Sequence, residues 1–208
     1  MKAPKMIVAG LGNPGPEFSS TYHNAGRLAL EALATRLGAP DDSGNASGAA
    51  GASGIRVGGA SAVASGRGAS TWKSHRGLFS YAIADGIALV SPLTYMNESG
   101  AAVGEALKKF GAKPSALIVL HDESDLPVGQ YKISAGRGAA GHRGVQSIMD
   151  TVRTKEFTRI RIGIRPPRER TRRKASAFVL KPVSASDRAV FAEVFAKIAD
   201  EIVARAAA

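Results

Sequence analysis

Lys5-Met6-Ile7-Val8-Ala9-Gly10-Leu11-Gly12-Asn13-Pro14-Gly15-Pro16 is the stretch on which the fold turns. Residues 5–9, apolar from Met6 onward and β-branched at the centre, read as a buried strand. The glycines that follow fit G-x-G-x-x-G, which after a strand is the fingerprint of a dinucleotide-binding α/β fold. The prolines decide against it. That fingerprint needs a helix opening inside the glycines, its N-terminus facing a pyrophosphate. Pro14 and Pro16 instead hold the residues before them extended and delay any helix. The acidic residue expected about 20 positions further on also has no second strand to sit on. What the stretch supplies is a strand followed by a rigid turn that presents Asn13.

Outward from this turn, residues 24–37 place Leu28, Leu30, Leu33, Ala34 and Leu37 at helical spacing, with Gly38 as the stop. Residues 41–70 change character to Gly, Ser and Ala, and read as a flexible surface insertion with a poor hairpin near residues 55–63. Strands are expected at 78–83 and 86–90, joined by the hairpin signal Asp85-Gly86. A helix follows at 97–110, with Val103, Leu107 and Phe110 on one face, then a buried strand at 116–120. A short strand at 129–133, a loop at 135–144, a helix at 145–152, a strand at 159–164 and a helix at 188–204 complete the chain. Strands alternating with helices predict one α/β domain over residues 1–208, with a mixed sheet flanked by helices.

The chain has 208 residues, 44% of them apolar, enough for one buried core. Its longest apolar stretches are strand-length, far short of a membrane span, and its N-terminus carries no long apolar segment of a secretory signal. It contains no cysteine, which removes disulfides and thiolate nucleophiles and fits a reducing cytoplasm. The formal net charge is +11, and residues 151–181 alone hold 11 basic and two acidic side chains. Such a patch is the footprint of a polyanion partner. A solvated surface and an anionic lipid face remain open on charge alone.

Four polar segments lie beside strand ends. Thr21-Tyr22-His23-Asn24 offers an imidazole just ahead of a helix, either a general base or a bystander to Asn24 as helix cap. Ser91 to Gly100 (SPLTYMNESG) follows a strand and opens a helix. His121 to Pro127 (HDESDLP) puts acidic groups in a loop at another strand end, and Gly136 to Gly144 (GRGAAGHRG) is a glycine-rich loop suited to an anion. In an α/β sheet such ends converge on one cleft. His23, His75, His121 and His142 show no paired metal-ligand spacing, so neither metal nor cofactor is expected. No G-x-S-x-G elbow supports a serine nucleophile.

In order, G-L-G-N-P-G, T-x-H-N-x-G, P-x-T-Y-M-N-x-S-G, H-D-E-x-D-L-P-x-G and R-I-R-I-G-I resemble the signatures of the bacterial-type peptidyl-tRNA hydrolases, from about residue 7 to 164. The resemblance implies a twisted mixed sheet between helices, a monomer, and hydrolysis of the ester joining a peptide to the terminal ribose of tRNA. It implies His23 as the base and Asp122 as its carboxylate partner. Asn13 and Asn97 would hold the peptide and the scissile carbonyl, with Phe18 and Met96 as apolar walls. Lys132 and Arg161 would grip the tRNA's terminal phosphate.

The chain also departs from the pattern. The glycine-rich loop ends Gly141-His142-Arg143-Gly144, where the family has asparagine at the position of Arg143. Arg143 therefore stands where a substrate- and water-placing side chain is expected, yet it is donor-only. Phe18 replaces a tyrosine and Tyr22 an arginine. The rival reading is a catalytically weak relative of this fold that binds RNA, which the basic segment and Arg143 permit. Retention of His23, Asp122, Asn13 and Asn97 together argues for the enzyme.

Overall fold

Asp85 and Gly86 both take positive φ, 49° and 78°, the geometry of a two-residue hairpin turn whose twist matches its strands. They fold β3 (Phe79–Ala84) antiparallel onto β4 (Ile87–Pro92). The computed structural model describes residues 4–40, 69–166 and 174–207. Among these, seven strands form one mixed sheet in the order β2-β3-β4-β1-β5-β7-β6. The others are β1 (Met6–Gly10), β2 (Lys73–His75), β5 (Leu117–Pro127), β6 (Tyr131–Ala135) and β7 (Thr158–Arg165). The inner strands β4, β1, β5 and β7 run parallel, while β2, β3 and β6 are antiparallel to their neighbours.

Helices cover both faces, as a parallel sheet requires. Helices α1 (Ala25–Arg36) and α4 (Ala185–Ala207) bury Leu30, Leu33, Phe191, Phe195 and Ile198 over Val8, Leu120, Ile160 and Ile162. Helices α2 (Ser99–Phe110) and α3 (Arg143–Val152) bury Val103, Leu107, Val145 and Ile148 over Ile7, Ala9, Leu117 and Val119. Alternate residues of β1 and β5 thus go to opposite layers, the period-two rule of a strand buried on both sides.

The glycines near the first loop serve packing. A Cβ on Gly10 would lie 2.6 Å from the Gly26 carbonyl oxygen, and one on Gly26 would lie 2.2 Å from that of Leu120. Helix α1 therefore sits directly on β1 and β5, and its preceding turn reaches the middle of β5.

The expected elements are present, with corrections at their edges. Residues 121–127 are not a loop: β5 continues through them to Pro127, because β7 pairs with it at Asp122↔Ile162, Glu123↔Gly163 and, past a register shift, Pro127↔Arg165. The short edge strand β2 carries no apolar alternation and escapes the periodicity test. Helix α3 begins at Arg143, two residues early. Nearly all of the expected insertion and the whole of residues 55–63 lie outside the described residues, as do residues 167–173 of the basic segment. Among the described residues no helix is long and apolar enough to cross a membrane.

Candidate active site

The chain just past β1, the turn after β4 and the middle of β5 bring Asn13, Met96, His23 and Asp122 into two hydrogen-bonded groups, joined through the adjacent residues His23 and Asn24. From β1 the chain passes into Asn13, which is buried and fixed on three sides. Its N–H donates to Asn24 Oδ1 at 2.9 Å, its carbonyl accepts from Asn24 Nδ2 at 3.0 Å, and its Oδ1 accepts the Met96 N–H at 2.8 Å. With Oδ1 committed, the Asn13 carboxamide keeps its Nδ2 hydrogens unspent among the described residues. Asn24 makes no helix-capping bond with its side chain. The cap role open in the sequence is thus replaced by a clasp on the first loop.

His23 lies one residue ahead of this clasp, in a single 3-10 turn at residues 22–24. Its backbone N–H donates to the Val179 carbonyl at 2.8 Å and its neighbour Tyr22 donates to Lys181 at 3.2 Å. The ring is oriented by Asp122, with Nδ1 and Oδ1 2.8 Å apart. Asp122 is 4% exposed. The same Oδ1 is 2.9 Å from His142 Nε2, and His142 Nδ1 accepts the Val145 N–H at 3.2 Å. An accepting Nδ1 places the ring proton on Nε2, so His142 is a donor to Asp122.

Electrostatics follow from that geometry. Burial works against a charge on Asp122, but His142 and His23 outweigh it and hold the carboxyl well below its ordinary range. Burial also lowers the basicity of His23, yet the Asp122 bond and charge win and raise it, with Arg143 opposing. His121, fully buried beside His142, is pushed well below its ordinary value by burial and then by that neighbour. It stays neutral, its Nδ1 2.7 Å from the Asp122 carbonyl.

The remaining expected residues separate. Met96 is buried, with its sulfur against Gly144, where a Cβ would approach to 2.5 Å. Asn97 is exposed in the turn that opens α2, and its side chain makes no hydrogen bond among the described residues. Phe18 is half-buried in the short 3-10 turn Pro16–Phe18. Arg143 is exposed at the first position of α3. Lys132 and Arg161 are direct cross-strand partners on β6 and β7. Lys132 is exposed, whereas Arg161 is engaged by Glu123, its Nε and Nη2 each 2.9 Å from Oε2. Beside them Arg137, Gly138, Ala140, Arg159 and Arg161 line a concave basic surface. Arg159 is only 2% exposed and donates to the Arg137 and Gly138 carbonyls at 3.1 Å.

Sequence reasoning assigned no role to His142, the clasp by Asn24, or Arg137 and Arg159. His142 and Arg137 lie in the glycine-rich loop, where position in sequence does not tell which side chain turns toward β5. Among the described residues, His23, Asp122 and His142 are the one group able to surround a metal ion. The protonated Nε2 of His142 presents a hydrogen there and no lone pair, so the arrangement fits a hydrogen-bonded triad.

Comparison with known proteins shows which family the chain belongs to. The family model described as peptidyl-tRNA hydrolase matches residues 7–207. A peptidyl-tRNA hydrolase of Mycolicibacterium smegmatis is 35% identical over 199 residues, covering 95% of this chain and 89% of that protein. One of Mycobacterium tuberculosis is 35% identical with the same coverage. The crystal structure of peptidyl-tRNA hydrolase from Acinetobacter baumannii superposes with a TM-score of 0.68 at 25% identity, covering 99% of this chain and 94% of that one. With the family model matching nearly its whole length and relatives 35% identical over most of both chains, the chain belongs to the peptidyl-tRNA hydrolase family.

Proposed function

We propose that this protein hydrolyses the ester between a peptide and the terminal ribose of tRNA, with His23 as general base. The observation that carries the reading is the 2.8 Å bond between His23 Nδ1 and a buried, ionised Asp122. That bond fixes the tautomer and leaves Nε2 to take a proton from water. The water oxygen attacks the ester carbonyl carbon, the carbonyl to ribose-oxygen bond breaks, and the proton passes to the departing ribose hydroxyl. General-base assistance of this kind contributes ~10²–10⁴ in rate. Asn13 Nδ2 and Asn97 donate to the peptide and to the developing oxyanion, a contribution on the order of 3 kcal/mol for one donor. Phe18 and Met96 form apolar walls.

Lys132 and Arg161 take the tRNA's terminal phosphate, and the adjacent Arg137 and Arg159 extend the positive surface. Arg143 contacts the substrate where the family has asparagine. Phosphate contacts set position and affinity without reading sequence. The reaction uses no metal and no cofactor, and the protein acts as a cytoplasmic monomer.

The test is release of labelled peptide from an N-acylated aminoacyl-tRNA, wild type beside His23→Ala, with EDTA throughout. Turnover is expected to persist in EDTA and to fall by orders of magnitude in the variant. Wild-type binding of tRNA without release would instead favour the RNA-binding reading.

A further inference from the structure

Asp122 Oδ1 has two imidazole neighbours and can be satisfied by both at once, since a carboxylate oxygen offers two lone pairs. His23 Nδ1 is 2.8 Å from it and His142 Nε2 is 2.9 Å from it. The two rings approach to 5.3 Å between centroids. His142 is also tied down at its other nitrogen, where it accepts the Val145 N–H and caps α3. It is a rigid donor anchored to a helix.

We infer that His142 is a positioning residue for the hydrolysis, whose Nε2–H bond to Asp122 Oδ1 fixes the carboxylate and draws off part of its pull on His23. Two donors on one oxygen divide its negative charge. An Asp122 bonded to His23 alone would stabilise the imidazolium more strongly and leave less free base at neutral pH. His142 thus serves a base that has to be oriented by a carboxylate without being saturated with a proton.

The groups that face the pair are few. His142 and Arg143 approach from the start of α3 and His121 lies beside Asp122 on β5. Strand β7 pairs with β5 at Asp122↔Ile162, and the Val179 carbonyl accepts the His23 N–H; neither residue is titratable. Arg143 already lowers the basicity of His23, so residues 142 and 143 act in the same direction. The inference rests on His23 as the base.

The two functions of His142 are separable. Asparagine places a side-chain oxygen where Nδ1 is, so His142→Asn keeps the cap and is too short to reach Asp122. Glutamine places an N–H where Nε2 is, so His142→Gln keeps the Asp122 bond and loses the cap. The experiment is the pH profile of kcat/KM for wild type, both variants and His23→Ala, with the Kd for deacylated tRNA measured in parallel. His142→Asn is expected to lose about tenfold at acid pH and to recover toward the wild-type plateau in alkali, as one charge-assisted hydrogen bond implies. His142→Gln should keep the wild-type profile, and tRNA binding should be unchanged in both. A His142→Asn profile that overlays wild type, equal losses in the two variants, or loss in His142→Gln alone would each overturn the proposal. Activity surviving in His23→Ala would remove the base assignment instead. Should His142→Asn fail to fold, His142→Ser, another cap too short to reach Asp122, repeats the test.

Discussion

Asn24 holds Asn13 by both atoms of its carboxamide, Oδ1 on the backbone N–H at 2.9 Å and Nδ2 on the carbonyl at 3.0 Å. Asn24 is fully buried, and its clasp sets the position of the Asn13 side chain, which in turn accepts from Met96. Asn24→Ala leaves a buried N–H and C=O unpaired, which costs about 1–3 kcal/mol each when not compensated. The expected result is a lower urea midpoint and a kcat/KM reduced at least tenfold. Asn24→Asp keeps the acceptor and loses the donor, so it should fall between. Urea unfolding monitored beside peptide release checks both, and full activity in Asn24→Ala would refute the clasp.

Tyr22 ties the turn that carries His23 to the C-terminal helix. Its phenol donates to Asp187 Oδ2, accepts from the Ser184 N–H at 3.4 Å, and its ring meets Phe191 edge-on. Tyr22→Phe should lower stability by about 1 kcal/mol and leave KM close to wild type. Tyr22→Arg restores the residue the family pattern carries and offers Asp187 an ion pair, so it should be better tolerated than Tyr22→Ala. Thermal melts of the three variants at one ionic strength decide the order.

Much of this site was legible as motifs because the glycines, prolines and strand ends that shape it are local. Asp85-Gly86 carries its hairpin in two adjacent residues, and Pro14 and Pro16 argue against a pyrophosphate loop from backbone restriction alone. What escaped depends on partners far apart in the chain. Residues 121–127 read as a polar loop, yet β7 holds them as strand by backbone pairing and Arg161 and Arg165 receive their polar groups, Arg165 Nε reaching the Ser124 carbonyl. Asn24 has the composition of a helix cap, and only the approach of α1 to β1 turns it onto Asn13. Lys132 and Arg161 were paired by resemblance, but the Glu123 that engages Arg161 is visible only once β5 and β7 are side by side.

Stability should have a signed dependence on pH. His121 is buried neutral with its basicity pushed down by burial and His142. Its contribution is present above the unfolded value near 6.5 and is lost as pH falls below it, by at most about 1.4 kcal/mol per pH step. Asp122, held low, contributes above the unfolded value near 3.9 and loses that only in stronger acid. His23 has the opposite sign. Its raised basicity stabilises fully below about 6.5 and is lost as pH rises through its folded value. Urea midpoints from pH 4.5 to 8.5 should therefore decline on the acid side, and His23→Ala should flatten the alkaline decline while leaving the acid one. A flat acid side would mean that His121 takes up its proton in the folded protein.

The basic surface predicts salt-dependent binding. Phosphate contacts release counterions, so affinity for tRNA should fall steeply from low to physiological salt. Arg161→Gln should weaken binding and reduce the slope of log Kd against log salt by about one, with kcat at saturation little changed. Glu123→Gln removes the charge that engages Arg161 and should tighten binding at low salt. A slope identical in wild type and Arg161→Gln would exclude Arg161 from phosphate contact.

Arg143 is the departure whose effect has two opposing parts. As a cation near His23 it lowers the ring's basicity and keeps more free base below neutrality. As a donor-only side chain it cannot accept a hydrogen bond from the attacking water. Arg143→Asn restores an acceptor and removes the charge together. The acid limb of kcat/KM should move to higher pH, because His23 then protonates more readily, while kcat in alkali should rise if the acceptor places water. KM should also rise and become less sensitive to salt if the guanidinium contacts the tRNA backbone. Arg143→Gln, longer but also neutral, should share the altered acid limb without the full gain in kcat. An acid limb unmoved in both variants would show that the guanidinium does not act on His23, and an unchanged KM would remove the backbone contact.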